Sequence, residues 1–175
     1  MISLGRDEGD AIYQNTVSRS VAGYPVGYFY GYVVEGVYQN KEDVKQSPTN
    51  TLGIAKPVDL TFKDIDGDGD ITVRDRTQIG NPTPDLTYGI NISLDYKGFD
   101  LGIDMMGVYG NEIYRNWDVS QYAQFNFRTD RMGRWHGEGT SNWEPILEPG
   151  RALNRLPPTY YIEDGSFFRI RNIQL

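Results

Sequence analysis

The chain has 175 residues, a formal net charge of −7 and no cysteine. That length buries a sizeable core and makes one domain or part of one. The charge argues against nucleic-acid binding, and the lack of cysteine excludes disulfides, thiolate metal sites and a Cys nucleophile.

Thirteen Tyr, seven Phe and three Trp with 20 Gly and nine Pro favour strands and turns, so the expected class is all-β. No run of about 20 apolar residues forms a membrane-spanning helix. A β-barrel stays open, because its strands carry only a weak alternating signal. Residues Met1 to Ser20 are poorly patterned, with Ile12-Tyr13 and Thr16-Val17 as candidate strand pieces. Val26 to Gln39 is β-branched and aromatic but broken by Gly27, Gly31 and Gly36. It predicts one or two short strands with bulges or tight bends at the glycines. Asn40 is placed to cap a short helical turn with Glu42 and Asp43 at its positive end. After a polar loop, Lys56 to Phe62 alternates apolar and polar and predicts an extended strand.

Residues 64–75 read Asp-Ile-Asp-Gly-Asp-Gly-Asp-Ile-Thr-Val-Arg-Asp. The spacing is that of an EF-hand-like calcium loop. Asp64, Asp66 and Asp68 fill positions 1, 3 and 5, and Gly69 fills the sharp turn at 6. Asp70 offers its carbonyl at 7, Thr72 stands at 9, and Asp75 closes the loop at 12. A hard cation needs six to eight oxygens, and this segment supplies them. Two departures stand out: position 12 is Asp rather than Glu, and an extended segment precedes the loop where a helix normally enters. The alternative is an acidic Gly-rich turn solvated by water.

Gly80 to Pro84 ends that region in a turn. Residues 85–110 then form a hairpin about Lys97-Gly98. Folding there pairs Tyr96 with Phe99, Leu94 with Leu101, Ile92 with Ile103, Ile90 with Met105, Tyr88 with Gly107 and Leu86 with Tyr109. That face is apolar, with Tyr88 covering the one glycine. The other face is polar for three rungs: Asp95 with Asp100, Ser93 with Gly102, Asn91 with Asp104. A one-residue slip would mix the faces. Two hosts fit: a soluble sandwich, where a second sheet covers the apolar face, or a transmembrane barrel, where lipid does. Strands of about 12 residues tilted by about 45° rise close to the ~25–30 Å apolar band, whereas soluble strands average nearer five or six. Length therefore favours the barrel.

Residues 111–163 lack clear periodicity and carry Trp117, Trp135 and Trp143. Such stretches are usually functional, so these three Trp are candidates for ligand or partner contact. His136 is the one His, with no identifiable orienting partner, and no enzyme is expected. Asp164-Gly165 makes a turn, and 166–175 begins a further strand whose facing is ambiguous near Arg171-Asn172.

In order, these landmarks resemble the SusC/RagA family of TonB-dependent outer-membrane transporters. The resemblance lies in Gly23 to Tyr32, Glu35 to Asn40, Phe62 to Gly69, Arg76 to Asp85, the hairpin from Tyr88 to Leu101, Gly107 to Asn111, and Ile162 to Ile173. It implies a C-terminal-region fragment, 1–175, of a large antiparallel barrel of about 22 strands. The wall would comprise the hairpin 85–110 and a truncated strand 166–175. Residues 20–84, with the calcium loop, and 111–163 would be extracellular loops, since barrel turns are short on the periplasmic side and long outside. The family further implies outer-membrane location, lipid contact, a SusD-type surface lipoprotein, energy from TonB through a plug region, and an oligosaccharide or peptide ligand. The rival expectation is a soluble calcium-stabilised β module that binds carbohydrate.

Overall fold

The computed structural model describes residues 13–14, 17–115, 129–146 and 153–175. The strands run β1 Tyr13–Gln14, β2 Ser18–Ser20, β3 Tyr28–Gly31, β4 Val34–Val37, β5 Thr49–Asn50, β6 Leu60–Phe62, β7 Asp70–Ile71 and β8 Thr77–Gly80. Beyond them come β9 Leu86–Tyr96, β10 Phe99–Tyr109, β11 Glu112–Tyr114, β12 Ile162–Asp164 and β13 Phe167–Gln174. One helix, α1 Lys41–Gln46, and a few 3-10 turns complete the described residues. Asn40 caps α1 as its sequence implies: its Oδ1 accepts from the Asp43 amide at 2.9 Å, with Glu42 and Asp43 in the first turn.

Two long strands dominate. β9 and β10 pair in the predicted register from Tyr96↔Phe99 to Leu86↔Tyr109. Lys97 and Gly98 both lie at positive φ, 49° and 85°. That is the primed turn whose twist matches the strands it joins. Tyr88 lies over Gly107 as predicted, where a β-carbon would collide with its ring. It also stacks on Phe168 of β13, centroids 6.3 Å apart and 11° from parallel. One tyrosine thus spans three strands.

β13 pairs with the free edge of β10, giving the order β13-β10-β9. Its register shifts between Asp104 and Met105, where Asn172 and Ile170 are successive partners, so Arg171 is one residue too many. This bulge explains the ambiguous alternation. Strict alternation would put Asn172 beside Phe168 and Ile170; the bulge puts Ile173 there, opposite Ile103. One face then runs through Ile92, Leu94, Phe99, Ile170 and Ile173, all exposed.

The remaining described residues gather at the end of this sheet opposite Lys97-Gly98, in a cap made from both flanking segments. Tyr32, Val34, Val37, Leu60, Phe62 and Ile71 precede the hairpin; Leu153, Tyr160 and Tyr161 follow it; together they form one core. Full burial of each such side chain contributes about 1.5–3 kcal/mol. The halves are also stitched by hydrogen bonds. The Tyr32 amide donates to the Pro157 carbonyl and the Thr159 amide to the Tyr32 carbonyl, both at 2.9 Å. The Leu60 amide donates to Asn154 Oδ1 at 2.9 Å, and Asn154 is fully buried. Gly31 permits the approach, since a β-carbon there would run into the Pro157 carbonyl.

Two expectations are corrected. Lys56 to Phe62 is not one extended strand: only Leu60–Phe62 pairs, with β4. Before it the chain turns, with Asp59 Oδ2 accepting from the Lys56 amide at 3.0 Å and Val58 at φ 78°. A β-branched residue there is strained, and it is held because the Val58 amide donates to the Tyr38 carbonyl at 2.8 Å. Nor is 111–163 simply an irregular loop. Its described parts supply β11 and β12, paired with each other, and a share of the cap core. As expected, the glycine-broken run does make two short strands with register shifts, between Phe29 and Tyr30 and between Val34 and Gly36.

The tie between Tyr88 and Gly107 is testable. Gly107→Val should destabilise the folded protein by about 1–3 kcal/mol through overpacking. A Tyr88→Ala background should relieve much of that loss. Urea unfolding reads both; equal cost of Gly107→Val in either background would disprove the contact.

Candidate functional site

The acidic loop sits between β6 and the 3-10 turn Val73–Asp75. Its turns are built from its own carboxylates. Asp64 Oδ1 accepts from the Gly67 amide at 2.7 Å, and Oδ2 from the Gly69 amide at 2.9 Å. Asp68 Oδ1 accepts from the Asp70 amide at 2.9 Å. Gly67 and Gly69 have φ of 74° and 90°, a backbone open to glycine at little cost. The result brings carboxylate oxygens of Asp64, Asp66 and Asp68 within 4.8 Å of one another. Calcium–oxygen distances of about 2.3–2.6 Å span such a separation. Desolvation, together with the neighbouring Asp68, Asp75 and Asp64 charges, raises the Asp66 carboxyl above its usual range despite the Asp68 amide.

Asp75 behaves differently. It is fully buried, with Oδ1 accepting from the Ile65 amide at 2.8 Å and Oδ2 from the Thr72 amide at 2.7 Å. Burial works to raise its carboxyl, but the Thr72, Ile65 and Asp66 amides outweigh it and hold the group below the usual carboxylate range. Asp75 ties the two ends of the loop together. A carboxylate has about four lone-pair sites, so accepting amides leaves capacity for a cation. Thr72 Oγ1 accepts from the Arg74 amide at 3.0 Å, completing a capping box with Asp75.

Ile71 fixes the loop to the cap. It is fully buried in the core, and its carbonyl accepts from the Thr51 amide at 3.1 Å while that of Gly69 accepts from Thr49 at 2.9 Å. Strand alternation turns the Asp70 carbonyl the other way. The spacing of the acids offered no sign of this anchor. An apolar residue at loop position 8 was the available clue.

The Trp candidates separate. Trp135 packs partly buried against the core, and its indole Nε1 donates to Gln39 Oε1 at 3.1 Å. Gln39 also accepts from the Gly139 amide at 2.9 Å and donates to the Ser141 carbonyl at 2.9 Å, so it organises that segment. Trp135 thus packs on the core with part of its surface still open. Trp143 is 46% exposed and tilts against Tyr160, centroids 6.0 Å apart. Trp117 lies outside the described residues. His136 is exposed, and its Nδ1 faces the Arg134 carbonyl at 3.0 Å.

No protein-family model matches the chain. Curated relatives do. TonB-dependent receptor P3 of Formosa agariphila is 35% identical over 155 residues, covering 86% of this chain and 15% of its own length. TonB-dependent receptor SusC of Bacteroides thetaiotaomicron is 24% identical over 172 residues, covering 97% of the chain and 15% of SusC. The chain thus spans about 15% of the length of these relatives. Among solved structures, the RagAB peptide importer in its open-open state matches 99% of the chain and 18% of its own, with a TM-score of 0.61 at 18% identity.

Proposed function

We propose, because this chain belongs to the SusC/RagA family of TonB-dependent receptors, that it supplies three wall strands and an external cap of an outer-membrane nutrient importer. The observation that carries the proposal is the exposed apolar face of β13-β10-β9. Its side chains are not among those of the cap core, and no second sheet covers them among the described residues. Lipid is the solvent such a face fits, and the polar face of Asn91, Ser93, Asp95, Asp100 and Asp104 suits a lumen. This geometry disfavours the soluble carbohydrate-binding module, which needs a covering sheet.

Lys97-Gly98 is the short turn and belongs on the periplasmic side; the cap belongs outside the cell. There it would meet a SusD-type surface lipoprotein and an oligosaccharide or peptide ligand, while TonB acts through a plug region of the whole protein. Exposed Trp143 is a candidate contact; Trp117 is retained as one on its sequence position alone.

Calcium is proposed as a structural ion held by Asp64, Asp66 and Asp68, with Asp75, Thr72 and the Asp70 carbonyl completing the set. It would neutralise the crowded carboxylates and stiffen the loop that Ile71 and Asp75 anchor. Magnesium should compete poorly, since it demands a smaller octahedral shell and keeps its waters.

Two measurements test these readings. Ile92→Arg in the full-length receptor should cost about 2–4 kcal/mol of barrel stability at mid-membrane depth and lower the amount assembled in the outer membrane. Ser93→Arg, one residue along, should assemble normally. Equal tolerance of both would contradict a lipid-facing sheet. Calorimetric titration of the metal-stripped receptor should show calcium binding that Asp68→Ala weakens by at least about tenfold and Glu42→Ala, on exposed α1, leaves unchanged. No calcium heat in the unaltered receptor would reject the metal site.

A further inference from the structure

The wall ends at its short turn in a surface of mixed chemistry. Tyr96 and Phe99 oppose each other on the last rung and are 67% and 78% exposed. Both lie on the apolar face, in line with Leu94 and Ile92. Lys97, also exposed, holds its ammonium 5.1 Å from the centre of the Tyr96 ring. That contact brings the charge to the apolar side of the sheet. The polar side carries two carboxylates one rung away, Asp95 opposite Asp100, and among the described residues neither forms an ion pair with Lys97. A ring face attracts an ammonium without accepting its hydrogen bonds as an oxygen does, so the N–H donors of Lys97 stay open to an oxygen ligand.

Depth decides which oxygen that is. β9 has 11 residues. At about 3.3 Å each and tilted by about 45°, such a strand rises about 26 Å, the height of the apolar band that a barrel presents to lipid. β9 keeps its apolar side over its whole length, from Leu86 to Tyr96, so the turn stands where hydrocarbon gives way to headgroups. The anion that a membrane holds at that level is the phosphate of a glycerophospholipid. Exposed aromatic rings settle at the same level: the Tyr96 hydroxyl can meet ester oxygens there, and the Phe99 ring the first methylenes of the chains. From the polar side an anion would meet Asp95 and Asp100, so its approach is confined to the lipid side.

We propose that Tyr96, Lys97 and Phe99 form a seat for one phospholipid headgroup of the periplasm-facing leaflet, with the Lys97 ammonium on the phosphate and the two rings beside the glycerol esters and upper chains. The proposal rests on the lipid-facing wall and names the partner that meets it at Lys97-Gly98.

Photocrosslinking of the full-length receptor in vesicles of digalactosyldiacylglycerol, a bilayer lipid without phosphate, reads the seat. Three probes are doped in separately: phosphatidylglycerol with a diazirine on its headgroup, the galactolipid with a diazirine on its headgroup, and the galactolipid with one on its acyl chain. Adducts are located by mass spectrometry. The phosphatidylglycerol probe should label the turn at least about threefold more than the galactolipid headgroup probe. Lys97→Gln should abolish that excess, Lys97→Arg should keep it, and Tyr96→Leu, which removes the ring under the ammonium, should lower it. Inorganic phosphate at matched ionic strength should leave the labelling unchanged; displacement by it overturns the lipid in favour of free phosphate. Equal labelling by the two headgroup probes, or an excess that persists in Lys97→Gln, overturns the seat. If Lys97→Gln fails to assemble, the comparison of probes on the unaltered receptor and on Lys97→Arg still decides. The acyl-chain probe should label Ile92 and Leu94. Chain labelling without a phosphate preference at the turn removes the seat and leaves the wall, whereas no chain labelling removes both.

Discussion

A two-residue turn sets the terms for the rest of this chain. With Lys97 and Gly98 both at positive φ, Tyr96 must oppose Phe99, and ten further pairs follow without a slip. Because side chains alternate across a strand, that choice commits one face to Leu, Ile, Met, Phe and Tyr, with Gly107 under Tyr88, and makes the other polar over its first three rungs, Asp95 with Asp100, Ser93 with Gly102 and Asn91 with Asp104. A third strand can join only if it respects the same division. β13 does so by means of one extra residue, Arg171, which restores Ile173 to the apolar side. Without the bulge, an amide would sit on a surface whose solvent is hydrocarbon, at a cost of several kcal/mol.

The cap answers a different constraint. Both segments that leave the upper end of the sheet are too irregular to bury their own backbone polar groups, so they do it for each other. Asn154 shows how. It is fully buried, its Oδ1 accepts from the Leu60 amide, and its carbonyl accepts from the Tyr161 hydroxyl at 2.8 Å. The core of Phe62, Leu60, Ile71 and Tyr161 forms around those bonds. The acidic loop hangs from this core by Ile71 and Asp75. Its carboxylates are therefore displayed on a fixed base.

Legibility followed sequence distance. The hairpin could be read to the residue because a period of two and a turn signal are local. The capping of α1 by Asn40 and the grouping of Asp64, Asp66 and Asp68 are local too. The facing of β13 could not be read, since a bulge shows in sequence only as a fault in alternation. The cap was invisible, because Leu60 and Asn154 stand 94 positions apart and nothing in either neighbourhood names the other. The tie of Trp135 to Gln39, 96 positions away, was hidden for the same reason. The turn at Val58 escaped because the alternation around it was compatible with a strand, while a strained positive φ depends on the Tyr38 bonds that hold it.

The central claim is that β9, β10 and β13 form a lipid-facing wall with its phase reset at Arg171. Nitroxide labels placed singly from Leu86 to Tyr96 and from Phe167 to Gln174, in the full-length receptor reconstituted in vesicles, test it most directly. Collisions with lipid-soluble oxygen should peak at Leu86, Tyr88, Ile90, Ile92, Leu94 and Tyr96. In the second strand they should peak at Phe168, Ile170 and Ile173, with the period broken at Arg171. Uniform accessibility, or an unbroken alternation that brings Asn172 to the lipid, would contradict the account.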